Sequence, residues 1–137
     1  VKPAKKPPIQ IPVAVGILRH RDRVLLLRRR EALLKNLYVF LLLEGNDSGA
    51  ALMEKAKGMG LAVSEPREAG QARHVFTHRV WQMRLYAAQV RESLTVPGGV
   101  WADAAAITAL PLPAAMRAAR AAALDMLREQ SDGDQNT

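Results

Sequence analysis

The first third of the chain contains three short apolar runs, and each is bounded by polar residues or glycine. The run at 9–20 is apolar on both faces, as expected of a strand that is covered on both sides. A polar turn separates it from the run at 23–30, which predicts a β-hairpin, and a third run at 37–44 predicts another strand. This part of the chain therefore has the pattern of the beginning of a sheet.

Residues 45–60 carry the signals of a helix. Three side chains that can cap a helix N-terminus occupy 46–48, and Gly58 and Gly60 are suited to ending the helix. The apolar residues between them recur at helical spacing, which predicts an amphipathic helix packed on the sheet. These apolar residues are Leu52, Met53, Ala56 and Met59.

The second half of the chain again contains strand patterns. A short strand is expected within 61–68, a longer one at 79–90 and another near 100–104, and a final helix from 110 onwards. The order β-β-β-α-β-β-β-α predicts an α+β fold in which a mixed sheet is flanked by two helices. The alternating apolar face of the strand at 79–90 consists of Trp81, Met83, Leu85 and Ala87.

The segment "HVFTH" at 74–78 concentrates chemically useful side chains. If it is a strand, His74, Phe76 and His78 share one face, which fits a metal site, an acid–base pair, a base-stacking platform or a packed strand. Histidines four positions apart on a strand are separated by about 13 Å, and no third ligand is nearby. The spacing therefore argues against a metal site and predicts none in this chain.

Composition limits the alternatives further. At 137 residues the chain is long enough for one domain with its own core. It has no cysteine, which excludes disulfides and iron–sulfur ligation within the chain and fits a reducing cytoplasm. No apolar run has the length of a membrane span. We expect a monomer located in the cytoplasm.

The charge of the chain points to a phosphate-bearing partner. The net charge is +7, and the segment from Arg19 to Lys35, including both ends, contains seven basic residues. Such a cluster is also compatible with the solvated outer face of a hairpin. The candidate phosphate contacts are Arg28, Arg29, Arg30 and Lys35, together with Arg73 and Arg79, which flank the segment 74–78.

The order of elements is similar to that of Nudix hydrolases, which hold a divalent metal through glutamates on one helix. Aligning Gly60 and Leu61 with the end of the Nudix signature places Lys57 and Gly58 where two metal-binding glutamates stand in those enzymes. Gly45 and Met53 replace two further signature residues, so that only Glu54 matches. We therefore expect a degenerate Nudix helix without hydrolase chemistry.

Several pieces of the chain together resemble the C-terminal domain of MutY-type adenine DNA glycosylases, a catalytically silent Nudix relative. The resemblance covers roughly 9–120 and is carried by these pieces: "IPVAVGILRHRDRVLLLRRR", "LLKNLYVFLLLEG", "ARHVFTHRVWQMRLYAAQV", "VW" and "ALPLPAAMRAA". It implies that the domain helps a glycosylase to recognise 8-oxoguanine opposite a mispaired adenine in base excision repair. The partner would be double-stranded DNA containing that mispair.

The resemblance assigns roles to particular residues. A Phe-Ser-His loop of the family falls on Phe76, Thr77 and His78, with Thr77 keeping the hydroxyl and Phe76 acting as an anchor. The family's Trp-x-Phe-Pro segment falls on 38–41, where this chain lacks both the acidic residue and the proline. This departure counts against a role of that segment in DNA contact, and Tyr38 should still pack.

The resemblance also implies how the whole protein is organised. Residues 1–8 would be a linker from an N-terminal glycosylase domain, 9–128 the lesion-recognition domain and 129–137 a disordered tail. The catalytic residues and an iron–sulfur cluster would belong to the N-terminal domain, so that this part alone is inactive and holds no cofactor. The expected setting is DNA repair at the bacterial nucleoid.

Two other functions remain open at this point. One is a divergent Nudix hydrolase of oxidised nucleotides whose metal ligands are displaced. The other is an interaction module that docks repair partners, such as a sliding clamp, through its linker or hairpin. The missing glutamates count against the first, and the sequence alone does not separate the second from lesion recognition.

Overall fold

The computed structural model of the protein describes the backbone of residues 7–135 and the side chains of residues 7–129. Within this range, six strands and three helices are formed. The strands are β1 (Ile9–His20), β2 (Arg23–Arg28), β3 (Tyr38–Glu44), β4 (Arg67–Val75), β5 (Arg79–Gln89) and β6 (Gly99–Ala102). The helices are α1 (Gly49–Gly58), α2 (Ala104–Ala109) and α3 (Arg117–Gln135), with a 3₁₀ turn at Ala114–Met116 before α3.

The strands form one mixed sheet in the order β4-β5-β1-β3-β2-β6. Strands β1 and β5 pair in parallel along almost their whole length, from Ile9 opposite Arg79 to Arg19 opposite Gln89. The other strand pairs are antiparallel. The α+β fold with a mixed sheet is therefore confirmed.

Both faces of the sheet are covered, which explains why β1 is apolar on both sides. One face packs against α1 through residues that include Ala14, Leu41 and Leu52. The other face packs against α2 and α3, and there Trp81 and Met83 of β5 are buried as predicted. Within the described residues, no helix is long and apolar enough to cross a membrane.

Helix α1 forms where the sequence predicted it. Ser48 is the N-cap, and its hydroxyl accepts a hydrogen bond from the Ala51 N–H at 3.3 Å. Leu52, Met53 and Ala56 are buried against the sheet. The residues on the other side of α1 are exposed to solvent.

The last third of the chain departs from the prediction. Helix α2 was not expected; it begins at an N-cap, Asp103, whose carboxylate accepts from the Ala106 N–H at 2.9 Å. The final helix was expected from 110 onwards, but Pro113 is the N-cap of the 3₁₀ turn and α3 begins only at Arg117. The backbone of α3 continues to Gln135, through most of the segment 129–137 where a disordered tail was expected.

Two other expectations concern strand boundaries and the linker. Val63 forms only an isolated bridge with Val90, and β4 begins later, at Arg67. Strand β4 ends at Val75, so the reading of 74–78 as one continuous strand was wrong. Residues 1–6 of the expected linker and the side chains beyond 129 lie outside the described residues.

The first residue of α1 offers a test of this packing. A Cβ at Gly49 would lie 2.9 Å from Tyr86 Cε1 and 3.3 Å from Pro66 Cγ. The Tyr86 ring has little freedom to move, because its hydroxyl donates to the Asp47 carbonyl at 2.6 Å. We expect Gly49→Ala to lower the free energy of unfolding by about 1–3 kcal/mol, measured by urea denaturation.

Gly58, the last residue of the same helix, is the matched control. A Cβ there meets no atom within 4 Å. Gly58→Ala should leave the stability unchanged or raise it by up to about 1 kcal/mol, because alanine reduces the freedom of the unfolded chain. Equal effects of the two substitutions would contradict the packing described for α1.

Candidate functional site

The segment that resembles a Phe-Ser-His loop is the turn between β4 and β5. The Phe76 N–H donates to the Arg79 carbonyl at 2.8 Å, which closes the turn. The Ile9 N–H donates to the His78 carbonyl at 3.1 Å, which ties the turn to the start of β1. Thr77 and His78 are exposed at the tip. The two side chains are therefore presented to solvent from a fixed backbone.

Phe76 holds the turn from inside. Its ring is half-buried and packs edge-on against His74 at 4.6 Å and against Trp81 at 5.0 Å between ring centroids. Trp81 is fully buried in the core. Phe76 thus packs as expected of an anchor, and His74 supports it instead of reaching out for a ligand.

Arg29 is the buried charged residue at the centre of this region, with an exposed fraction of 6%. Its guanidinium forms an ion pair with Glu44, donates from Nε to the Leu33 carbonyl at 2.7 Å, and lies 5.4 Å from the Trp81 ring centroid. Arg79 Nη1 approaches the same Glu44 carboxylate at 3.5 Å. Burial and these internal hydrogen bonds of Nε and Nη2 count against the phosphate contact expected of Arg29, which stays a prediction.

The loop between β2 and β3 is shaped around Arg29. The Arg29 N–H donates to the Leu37 carbonyl at 2.9 Å, and the Asn36 N–H donates to the Arg29 carbonyl at 2.8 Å. Leu34 and Asn36 adopt positive φ angles of 63° and 69°, a conformation that persists only where the surroundings enforce it. The loop is therefore built to one shape, and its exposed residues include Lys35.

The remaining basic candidates lie in different places. Arg28 and Arg30 are exposed on either side of Arg29. Arg73 is opposite Gln82 in the β4–β5 register and lines a polar depression on the sheet face that α1 covers in part. Alternation along β4 places Arg73 on the opposite face from His74 and Trp81. The structure therefore brings Arg28, Arg30 and Arg79 to the region of Arg29 and separates Arg73 from Phe76.

Two residues of this region escaped the sequence analysis. Glu44 joins Arg29 to Arg79, and Lys55 of α1 donates from Nζ to the Leu42 carbonyl at 2.6 Å. Only the arrangement of chain segments distant in sequence brings these groups together, and no local pattern marks either residue.

The side chains of α1 do not fit the divalent metal that Nudix enzymes hold. Lys57 and Gly58 supply no carboxylate, and Glu54 is exposed and lies 3.5 Å from Lys57 Nζ. Among the described residues, no group of three histidine, aspartate, glutamate or cysteine side chains could hold a metal ion. A cation at this helix would meet a lysine where it needs oxygen ligands.

The role of Arg29 can be tested by its removal. We expect Arg29→Ala to lower the free energy of unfolding by about 2–4 kcal/mol, because Glu44 and the Leu33 carbonyl lose a charged donor in a partly buried place. Arg30→Ala is the control and should change it by less than about 0.5 kcal/mol, since Arg30 is exposed. Thermal or urea denaturation measures both, and similar values would refute the central role of Arg29.

The model of the NUDIX domain family matches residues 13–122. No curated protein sequence matches the chain. Three solved structures with a similar fold illustrate the range of proteins that share it, and at their low sequence identities the likeness concerns the fold alone.

The MutT NUDIX hydrolase from Burkholderia pseudomallei has 18% identity and a TM-score of 0.61, over 83% of this chain and 95% of that chain. The MutT protein from Methanosarcina mazei Go1 has 17% identity and a TM-score of 0.64, over 95% and 99%. The C-terminal domain of mouse MUTYH, in complex with human PCNA, has 14% identity and a TM-score of 0.62, over 93% and 90%. Because the family model spans most of the chain, including the sheet and α1, the protein belongs to the NUDIX domain family.

Proposed function

We propose that this NUDIX domain is the lesion-recognition domain of a MutY-type adenine DNA glycosylase and reads 8-oxoguanine opposite adenine. The observation that carries the proposal is the β4–β5 turn, where Thr77 and His78 are exposed while Phe76 is packed against Trp81. This arrangement presents two hydrogen-bonding side chains on a fixed support. The resemblance to MutY-type domains and the similar fold of the mouse MUTYH domain support it.

The chemistry of the turn suits the proposed ligand. At positions 7 and 8, 8-oxoguanine presents an N–H donor and an oxygen acceptor. At the same positions, guanine presents an acceptor at N7 and no polar group at C8. The Thr77 hydroxyl can both donate and accept, and the His78 ring offers a further donor or acceptor. A side chain that accepts from N7–H therefore distinguishes the oxidised base from guanine.

The basic residues around the turn would contact the DNA backbone. Arg28, Arg30 and Lys35 are exposed, and Arg79 keeps part of its surface while it pairs with Glu44. In this proposal the domain works as a monomer linked to a glycosylase domain, which supplies catalysis and the iron–sulfur cluster. Linkage raises the effective concentration of the reader at the DNA, so that weak contacts of this domain suffice.

A nucleotide hydrolase is the second candidate, and the likeness to MutT proteins favours it. The side chains of α1 weigh against it, because they lack the carboxylates that the metal requires. Mg²⁺-dependent release of pyrophosphate from a nucleoside triphosphate by this chain would favour the hydrolase. A sliding-clamp contact, as in the mouse MUTYH domain complex with human PCNA, is compatible with either role.

Removal of the polar groups at the turn tests the proposal directly. The domain is fused to a MutY-type catalytic domain, and adenine excision is measured opposite 8-oxoguanine and opposite guanine. We expect Thr77→Ala combined with His78→Ala to reduce the preference for 8-oxoguanine by about fivefold for each hydrogen bond to the base that is lost, the equivalent of about 1 kcal/mol per bond. The melting temperature should stay the same, since both side chains are exposed.

Thr95→Ala provides the control for this measurement. Thr95 is an exposed threonine between β5 and β6, outside the turn. Its replacement should leave the preference unchanged. If the double variant discriminates as well as the parent, or if Thr95→Ala has the same effect, the turn is not the reader.

The proposed binding of phosphate predicts how DNA affinity depends on salt. Replacement of Arg28 and Arg30 by alanine should reduce the slope of log Kd against log salt concentration by about 0.9 for each phosphate that is no longer neutralised. Fluorescence anisotropy with a short duplex measures the slope in the fused protein. Arg128→Ala, an exposed arginine on α3 with its own partner Asp125 at 3.6 Å, should not change it. An unchanged slope in the variant that lacks Arg28 and Arg30 would mean that the DNA backbone does not contact these two residues.

A further inference from the structure

Strand β4 is the outermost strand of the sheet, and in the described part of the chain its outer backbone groups have no strand partner. In an antiparallel pair, residues whose N–H and C=O groups bond the partner alternate with residues whose groups point away. The Phe76 N–H bonds the Arg79 carbonyl, so the backbone groups of His74 and Ala72 also face β5. The residues whose backbone groups point outwards are Gln71, Arg73 and Val75.

A β-bulge separates these residues from the beginning of β4. The register with β5 shifts between Glu68 and Gly70, and Gly70 has a positive φ angle of 128°. A bulge bends and twists a strand, which protects that part of an edge from pairing with another chain. From Gly70 to Val75 the register is continuous. The regular, unprotected part is therefore the segment 71–75, named the β4 edge below.

The side chains of the three outward-facing residues share the sheet face on which α1 lies, because alternate residues of a strand point to the same face. Val75 is an apolar residue with an exposed fraction of 55%. Gln71 and Arg73 line a polar depression of about 620 Å³ beside α1. The β4 edge therefore presents an amide, a cation and an apolar group at alternate positions.

Arg73 is a cation without a carboxylate partner among the described residues. The other arginine of the depression, Arg84, forms an ion pair with Glu68. Asp47 also lines the depression, but it forms no ion pair with Arg73. Opposite charges on directly opposed residues of neighbouring strands stabilise the pairing. An acidic side chain on an added strand would therefore complete an ion pair with Arg73.

We propose that the β4 edge binds an extended acidic segment of another protein, which adds a seventh strand to the sheet. The added strand runs antiparallel, because antiparallel ladders are slightly more stable for each residue. It places an apolar residue opposite Val75 and, two positions later, an acidic residue opposite Arg73. Main-chain hydrogen bonds supply affinity, and these two side chains supply specificity.

A second copy of the chain fits this edge poorly. An antiparallel pairing of two β4 edges that uses all three outward-facing residues places Arg73 directly opposite Arg73 of the other copy. Like charges in that position are destabilising. The net charge of +7 on each copy adds to the repulsion. The edge is thus protected against its own copy and remains open to an acidic strand.

The proposal goes beyond the function assigned to the β4–β5 turn and does not rest on it. The β4 edge ends at Val75 and contains none of the three proposed reader residues, which are Phe76, Thr77 and His78. Its donors and acceptors are main-chain groups of β4, whereas the reader uses exposed side chains at the tip of the turn. The two surfaces can therefore be tested separately.

The test uses the 137-residue chain and a labelled synthetic peptide, Thr-Val-Thr-Glu-Thr-Gln-Thr, with blocked ends. Fluorescence anisotropy should show saturable binding. N-methylation of the glutamate amide, which faces the β4 edge, should weaken binding by about tenfold or more, because a main-chain donor is lost and its acceptor is left unpaired. N-methylation of the threonine before that glutamate is the matched control, since its amide points away. That peptide should bind like the unmodified one.

An exchange of charges tests the side-chain contact. We expect Arg73→Glu to weaken binding of the acidic peptide by about tenfold, because a charged partner is removed and a like charge takes its place. The same variant should gain affinity for a peptide with lysine in place of glutamate. Arg67→Glu is the control, because Arg67 is an exposed arginine of β4 that lies before the bulge. Arg73 is also exposed, so all proteins should keep the parent's melting temperature.

Hydrogen exchange followed by NMR locates the added strand. Without peptide, the amides of Gln71, Arg73 and Val75 should exchange quickly, since they point to solvent. The acidic peptide should slow their exchange. The amides of Ala72 and His74, which face β5, should exchange slowly in both cases.

Several results would overturn the proposal. These are the absence of peptide binding, equal binding of the acidic and lysine peptides by the parent, and no effect of the N-methyl group on the glutamate. Protection of the outward amides by duplex DNA alone, or by a rise in protein concentration without peptide, would assign the edge to DNA or to a second copy instead. Thr77→Ala combined with His78→Ala should bind the peptide like the parent, so failure of either proposal leaves the other standing.

Discussion

The guanidinium of Arg29 connects three parts of the molecule that are far apart in the sequence. It pairs with Glu44 at the end of β3, lies against Trp81 of β5 and fixes the Leu33 carbonyl in the loop after β2. Glu44 reaches Arg79, the first residue after the turn, and Trp81 supports Phe76 within the turn. The basic loop and the exposed turn thus depend on one buried charge. Its loss would leave the Glu44 carboxylate without its Arg29 partner.

Helix α1 shows how the fold and its chemistry can separate. Leu52, Met53 and Ala56 keep the side that packs on the sheet, and Ser48 keeps the cap, so the helix remains where the NUDIX fold places it. The exposed side carries lysines and a glycine in place of metal-binding carboxylates. Packing requires only the buried stripe, and solvent-facing residues can change their charge without destabilising the helix.

In the β4–β5 turn, one residue packs against the core and two residues are exposed to solvent. Phe76 contributes ring contacts to the core, and the hydrogen bond from Ile9 to the His78 carbonyl fastens the turn to β1. The side chains of Thr77 and His78 are exposed instead. An exposed side chain on a rigid backbone loses little freedom on binding, which suits a group that must read one edge of a base.

The sequence by itself determined the local elements of this protein. Apolar runs bounded by polar residues placed β1, β2 and β3, and alternation placed β5 with its buried face at Trp81. The candidate caps at 46–48 placed the start of α1, because all of these signals lie within a few residues of each other. Helix α2 escaped because its alanine-rich segment has little amphipathic pattern. The continuous strand expected at 74–78 failed because the chain turns back at Phe76 to pair with β5.

Only the tertiary structure decided which charges face solvent. Arg28, Arg29 and Arg30 are alike in the sequence, yet Arg29 is buried because Glu44, fifteen positions away, and Trp81 meet it in the fold. Lys55 Nζ donates to the Leu42 carbonyl because α1 packs beside β3. Such roles depend on partners distant along the chain, whereas a sequence pattern registers only near neighbours.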